Sequence, residues 1–133
     1  MLILLSIFTI LTHTPKINIE NAWVRPAGKG MNSALYLDIK NNNNTSDILY
    51  KVSSDAAELV QMHQTVEKNG MASMQRVKSV TIPAHKAIEF KPGGYHVMLI
   101  ELKRDLHSGE KINFTLYFKK AGKIKVQAEV KHP

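Results

Sequence analysis

The chain has 133 residues, enough for one domain with a modest core and too few for two. Its formal net charge is +7. The lysines are scattered and no nucleic-acid-binding motif accompanies them, so we expect a solvated basic surface that does not bind nucleic acid. The functional alternatives are binding to an acidic partner or to a lipid surface. Cysteine is absent, which excludes disulfides, zinc–thiolate sites, thiol nucleophiles and a blue-copper centre and leaves His, Met and carboxylate as metal ligands.

Residues 1–15 form a leader that begins with an uncharged apolar run, MLILLSIFTILT, over residues 1–12. A helix needs about 20 residues to span a bilayer, so this run is too short, and it resembles the apolar part of a secretory signal. We therefore expect export to the periplasm or cell envelope, with the leader either cleaved as a signal peptide or kept as a membrane tether. A lipoprotein is not expected, because acylation requires a cysteine. The alternative is a buried first strand or helix.

Residues 16–133 read as one domain of short strands. Nine segments have the period-two alternation or the short apolar run of a β-strand, and turn residues separate them. They are 16–24, 33–40, 47–52, 57–66, 71–77, 86–90, 95–102, 111–118 and 123–130. Several connections are long enough to cross between sheets, and no useful segment has a helical period. The sequence therefore predicts an all-β fold, a Greek-key β-sandwich.

Within this pattern, Asn69-Gly70 predicts the turn of a β-hairpin, because this dipeptide favours a two-residue type I′ turn. Such a turn places Thr65 opposite Met74 and His63 opposite Arg76. A four-residue loop would instead place His63 directly opposite Met74, and a three-residue loop with a bulge would break the pattern. The sequence leaves these three alternatives open.

Both even-length loops give the same side-chain directions. His63 and Met74 lie on one outward face of the hairpin, adjacent or diagonal and within reach of each other. Met62, Met71 and Val77 lie on the other face, and their apolar character assigns them to the core. The hairpin thus predicts an outward-facing His–Met pair.

A second His–Met pair begins the strand at 95–102. His96 and Met98 are two residues apart, so both side chains leave one face of the strand, while Val97 and Leu99 alternate against them toward the core. The turn at residues 92–94, Pro-Gly-Gly, precedes them and requires glycine torsions or a close backbone approach. We expect this pair to lie near the sandwich edge, together with the hairpin pair.

His63, Met74, His96 and Met98 together provide two imidazoles and two thioethers, a soft and neutral donor set that suits Cu(I) best among biological metals. Each has an ordinary explanation when taken alone, since a Met usually packs in a core and a His is usually hydrogen-bonded or solvated. The prediction depends on the four together. Met31 could add an auxiliary donor.

The spacing His63-x10-Met74-x21-His96-x-Met98 resembles the metal-binding signature of the periplasmic copper(I) chaperones called PCuAC. Surrounding segments are similar too: AWVRPA (22–27), SALYLDIKN (33–41), AELVQMHQTVEKNGMASMQRV (57–77) and FKPGGYHVMLIELKRDLHSGEKINFTLYF (90–118). The resemblance implies a cupredoxin-like β-sandwich that binds one Cu(I) through these four residues. It also implies delivery of the copper to a respiratory oxidase such as cytochrome c oxidase, often alongside a Sco-type thiol protein.

Taken together, these observations predict a non-enzymatic copper(I) carrier of the cell envelope, monomeric and without a stable membrane span. The alternative is a Greek-key interaction module that binds no metal and in which the same Met and His residues only pack. A copper oxidase or reductase is less favoured, because neither a substrate acid–base pair nor a second redox centre is visible in the sequence.

Overall fold

A computed structural model of the protein describes residues 16–133, so the predicted leader at 1–15 lies outside the described residues. The described chain forms ten β-strands: β1 Ile17–Val24, β2 Ser33–Asn41, β3 Asp47–Ser53, β4 Ala57–Lys68, β5 Met71–Arg76, β6 Val80–Ile82, β7 Ala87–Phe90, β8 Tyr95–Leu102, β9 Lys111–Phe118 and β10 Gly122–Val130. A helix long and apolar enough to cross a membrane is not found in this part of the chain.

The strands hydrogen-bond into one sheet in the order β5-β4-β8-β7-β2-β1-β10-β9-β3-β6, with β8 also paired to β2. Neighbouring strands are antiparallel, apart from the parallel pairs β1–β10 and β7–β8. The sheet folds over on itself, and the side-chain amide of Asn41 in β2 donates to the carbonyl of Ile82 in the edge strand β6. The predicted all-β, Greek-key, cupredoxin-like fold is confirmed in its broad outline, although one continuous sheet supplies both halves of the sandwich.

The core lies between the two halves of the folded sheet and is built by alternation along each strand. In β8, Val97 and Leu99 are buried as predicted. In β9 the even-numbered residues face inward and the odd-numbered ones face outward. The inward set is Ile112, Phe114, Leu116 and Phe118.

All nine predicted strands are present, and their ends differ from the prediction by two residues at most. The tenth strand, β6, was missed because its three residues contain too little of the period-two pattern to be recognised. It pairs with the start of β3.

The hairpin between β4 and β5 has the two-residue turn that the sequence favoured. Asn69 and Gly70 both have positive φ, 54° and 76°, as a type I′ turn requires. Thr65 lies opposite Met74, and His63 lies opposite Arg76. The type I′ alternative is therefore the one that the chain adopts.

The prediction that Met71 belongs to the core is wrong. Met62 is 5% exposed and Val77 packs against the core, as expected, but Met71 is 75% exposed. The reason is that the hairpin extends past the body of the sandwich, and all six residues of β5 are exposed. Alternation determines the direction in which a side chain points, but not whether the core continues beneath it.

Candidate metal centre

Three neighbouring strands bring the four predicted ligands together. β4 lies between β5 and β8 in the sheet. His63 in β4 is directly opposite His96 in β8, and Met74 in β5 is opposite Thr65, one position along the same face from His63. Met98 follows His96 on that face. The fold thus places two imidazoles and two thioethers on one side of the sheet.

The two imidazole rings face each other. Their centroids are 5.7 Å apart, and their planes are inclined by 42°. His63 Nε2 is 3.1 Å from Gln61 Oε1, and His96 Nδ1 is 3.3 Å from the carbonyl oxygen of Gly94. A carbonyl oxygen can only accept, so in the neutral rings these two nitrogens carry the hydrogen and donate it.

The remaining nitrogens, His63 Nδ1 and His96 Nε2, are buried and have no hydrogen-bond partner among the described residues. Buried polar atoms are nearly always satisfied, because an unsatisfied one loses its hydration without replacement. Each of these nitrogens presents a lone pair, and its ring is held in one tautomer by the hydrogen bond on its other side. Metal-binding histidines have this arrangement.

Electrostatics favour the neutral form of the His63 imidazole. Burial lowers the pKa of His63, and the neighbouring His96 and Arg76 lower it further. The site therefore resists taking up a proton, which would otherwise occupy the lone pair that a metal requires.

The thioethers line an open cleft of about 460 Å³ that also contains His96. Met98 is half-buried, whereas Met74, on the edge strand, is 60% exposed. His96 is only 3% exposed, so the expected solvent-exposed position is found for Met74 and not for His96. His96 does point away from the core, but the ring of Tyr36 lies 6.4 Å away and the walls of the cleft cover it.

Sequence reasoning missed one wall of this cleft. The guanidinium of Arg25 lies 5.6 Å from the centroid of Tyr36 and 5.9 Å from that of Trp23, and the two rings are 4.8 Å apart. Alternation in 33–40 could have indicated Tyr36, because it places this ring on the face away from the core leucines. Arg25 contributes a positive charge to the cleft, which disfavours more highly charged occupants.

The described residues form no metal site of the usual His, Cys or carboxylate type. In the part of the chain that the structure describes, no three His, Cys, Asp or Glu side chains are grouped so that they could hold a metal ion. The auxiliary candidate, Met31, is 62% exposed and is not among the residues that line the cleft. The donor set of the cluster is therefore two nitrogens and two sulfurs, which suits a soft monovalent ion.

Gln61 provides a direct test of the tautomer argument. Gln61→Leu removes the acceptor that holds the hydrogen on His63 Nε2 and leaves all four candidate ligands in place. Loss of such a supporting partner typically weakens metal binding by about 10–100-fold. We expect a loss of Cu(I) affinity in this range with little change in melting temperature. The matched control is Gln75→Leu on β5, and an equal loss in both variants would contradict the role of Gln61.

The small all-β fold of this chain is shared with PCuAC domains. The copper-bound PCuAC domain from PmoF2 is 28% identical and aligns with a TM-score of 0.75 over 92% of this chain and 97% of that domain. The copper(I) form of DR1885 from Deinococcus radiodurans is 30% identical, with a TM-score of 0.65 over 83% of this chain and 76% of that one. The resemblance found in the sequence is confirmed.

The chain belongs to the LpqE-like family, whose profile matches residues 17–130. Among similar proteins, Lxx21020 of Leifsonia xyli subsp. xyli, which is named as a lipoprotein, is 40% identical over 116 residues, or 86% of this chain and 69% of that protein. RP573 of Rickettsia prowazekii is 34% identical over 114 residues, and this chain spans 63% of its length. These family names are consistent with an exported envelope protein, although the 133 residues here contain no cysteine for lipid attachment.

Proposed function

We propose that this protein is a copper-binding chaperone that carries one Cu(I), held by His63, Met74, His96 and Met98. The observation that carries this proposal is the pair of buried imidazole nitrogens without hydrogen-bond partners, on facing rings and beside two thioethers. The likeness to two copper-bound structures, the PCuAC domain from PmoF2 and the copper(I) form of DR1885, supports it independently.

The chemistry of the cluster favours Cu(I) over other ions. All four donors are neutral when they bind, and in the described part of the chain no carboxylate lines the cleft to offset the charge of a divalent ion. Arg25 lines the cleft and Arg76 lies opposite His63, so the surroundings are already positive. An ion with a single charge and a preference for sulfur is the one that such a site holds best.

The geometry also suits a carrier rather than a permanent metal site. His96 lies at the buried end of the cluster, and Met74 stands exposed on the edge strand β5. A ligand from an acceptor protein can therefore approach from the Met74 side while the buried imidazole still holds the ion. We infer that transfer proceeds by stepwise exchange of ligands and involves no catalysed reaction.

A titration tests the central proposal. Protein lacking the leader, titrated with copper under reductant and analysed by native mass spectrometry, should bind one Cu(I) per chain. It should prefer Cu(I) to Zn(II) in competition, because zinc rarely uses thioether ligands. Equal or tighter zinc binding would contradict the assignment of the metal. An absence of copper binding would leave the metal-free interaction module as the better explanation.

The cellular role that we propose is delivery of Cu(I) in the periplasm or cell envelope to a copper-acceptor protein of a respiratory oxidase such as cytochrome c oxidase, together with a Sco-type thiol protein. The apolar run at 1–12 and the lipoprotein name of one relative support the location. Envelope fractions should contain the protein, and the loaded protein should transfer Cu(I) to a purified acceptor domain. Recovery of the intact chain from the cytosol, or retention of copper beside an empty acceptor, would contradict this role.

A further inference from the structure

A cluster of lysines and tyrosines lies on the outer face of β3 and β9 and at the adjoining end of β10. The rings of Tyr50 and Tyr117 are 6.2 Å apart. The ammonium of Lys119 lies 4.4 Å from the centroid of Tyr50, and those of Lys51 and Lys123 lie 5.1 and 5.6 Å from that of Tyr117. We call these five residues the lysine–tyrosine surface.

The strand register aligns the residues of this surface in a row across the sheet. Lys51, Tyr117 and Lys123 are directly opposite one another on three neighbouring strands. Lys125 lies opposite Thr115 in the next outward-facing row and extends the array. Neighbouring strands are about 4.8 Å apart, so the Cα atoms of Lys51 and Lys123 are separated by about 10 Å across the sheet.

Among the described residues, the lysines of this surface have no ion-pair partner. Ion pairs elsewhere in the described chain use Lys40, Lys91 and Arg104 as the cations, and none of them involves the lysines of the surface. Asp47 lies beside the surface but is buried, and its oxygens accept backbone amide hydrogens, including that of Lys120. The lysines of the array are therefore free to pair with anionic groups of a partner.

We propose that the lysine–tyrosine surface docks on the anionic phospholipid headgroups of a membrane. Tyrosine rings favour the headgroup level, where the ring is partly buried and the hydroxyl stays wet. Lysine stems lie along such rings and present their ammonium groups to phosphate. The cations are spread over a flat face of the sheet. Such a face fits the extended plane of phosphates on a membrane better than it fits a single acidic segment of a protein.

The position of Lys16 in the fold supports this choice. The carbonyl of Lys16 accepts the amide of Asn42, and the carboxylate of Asp47 binds the amides of Lys120 and Ala121. Asn41, next to Asn42, bonds to the carbonyl at Thr45, so both contacts lie at one end of the sandwich. An apolar leader attached at Lys16 would join the fold beside the lysines, and a hydrophobic and a basic signal together anchor a protein better than either alone.

Docking in this way leaves the copper cleft free. The lysine–tyrosine surface and the metal cluster both point away from the shared core, but from opposite halves of the folded sheet. With the lysines on the membrane, the cleft faces the aqueous phase, where an acceptor could reach Met74. Membrane docking through this surface does not depend on which metal the protein binds.

The test uses the full chain with vesicles of phosphatidylglycerol in phosphatidylcholine or of phosphatidylcholine alone, and measures the ratio of the two partition coefficients. The leader contributes to both, so the ratio isolates the charge effect. In the triple variant Lys51→Gln/Lys119→Gln/Lys123→Gln this ratio should fall by about 100-fold, because each lysine near an anionic surface raises the partition coefficient by about fivefold. The ratio should also fall as salt is added.

The matched control is Lys29→Gln/Lys68→Gln/Lys103→Gln, which removes the same charge from exposed positions elsewhere. This variant should keep most of the ratio. An equal loss in both triples would overturn the proposal in favour of a general effect of net charge. A ratio near one for the wild-type protein would also overturn the proposal, and an acidic protein would then be the better candidate for the partner of this surface.

The orientation has its own readout, because a chain without cysteine can be labelled at one position. A polarity-sensitive dye on Lys125→Cys should shift its emission on anionic vesicles, whereas the same dye on Ala72→Cys, which is exposed on the face of β5 that carries Met74, should not. A shift at Ala72→Cys alone would overturn the proposed orientation. Unchanged melting temperatures confirm that the variants are folded.

Discussion

Replacing His96 by alanine is expected to reduce Cu(I) affinity by more than about 100-fold, beyond the loss typical of a supporting residue. It should also lower the free energy of unfolding by about 1–3 kcal/mol, the usual range for a substitution that empties a packed site. Both effects follow from the position of the ring, which is 3% exposed, is hydrogen-bonded to Gly94 and contributes one of the two unpartnered nitrogens.

Comparison with a second histidine separates the two effects. His63→Ala should lose a similar amount of Cu(I) affinity with a smaller loss of stability, because His63 is only half-buried. His107→Ala, an exposed histidine, should change neither quantity. His96→Gln keeps most of the side-chain volume and distinguishes ligand loss from unfolding. The measurements are a Cu(I) competition assay and a thermal melt on each variant, and full Cu(I) affinity in His96→Ala would remove His96 from the site.

The parts of the fold that the sequence predicted well are those determined by alternation. Period-two patterning depends on which face of a strand is apolar, and burial enforces it strongly. For this reason the strand β8 has the predicted ends, with Val97 and Leu99 in the core and His96 and Met98 on the other face. The turn at Asn69-Gly70 was predictable because its dihedral requirements are local.

The errors concern how far each layer of the structure extends. Met71 has the parity of a core residue but lies where the hairpin has left the body of the sandwich. His96 points away from the core yet is buried, because residues distant in sequence, such as Tyr36, cover it. Arg25 follows β1 and lies in the cleft because its backbone amide bonds to Ala34 of β2, which also lines the cleft. Such features depend on tertiary packing, which no local pattern records.

The site combines a buried, oriented half with an exposed, adaptable half. The imidazoles are fixed by hydrogen bonds to Gln61 and Gly94. Met74 stands on an edge strand, and a thioether on an unbranched chain can take up several positions. We therefore expect the histidines to determine where the ion sits and the methionines to determine which ion is preferred. This division predicts different consequences for substitution of each pair.

The double variant Met74→Leu/Met98→Leu is expected to lose about 100-fold or more in Cu(I) affinity and to keep its affinity for Zn(II), so that the preference for Cu(I) disappears. Leucine has nearly the volume of methionine, and such exchanges usually cost less than about 1.5 kcal/mol. Both imidazoles remain, with their tautomers still fixed, so the variant keeps nitrogen ligands that zinc can use. A competition assay between Cu(I) and Zn(II) measures the metal preference, and a thermal melt of the same variant measures its stability.

The chain supplies a matched control for this experiment. Met31 and Met71 are 62% and 75% exposed, and neither lines the cleft. Met31→Leu/Met71→Leu removes the same number of thioethers and should leave Cu(I) affinity and metal preference unchanged. If the control loses as much affinity as Met74→Leu/Met98→Leu, copper binds methionine sulfur generally and not at this cluster. If neither variant loses affinity, the thioethers are not ligands and the preference for Cu(I) must come from the histidines alone.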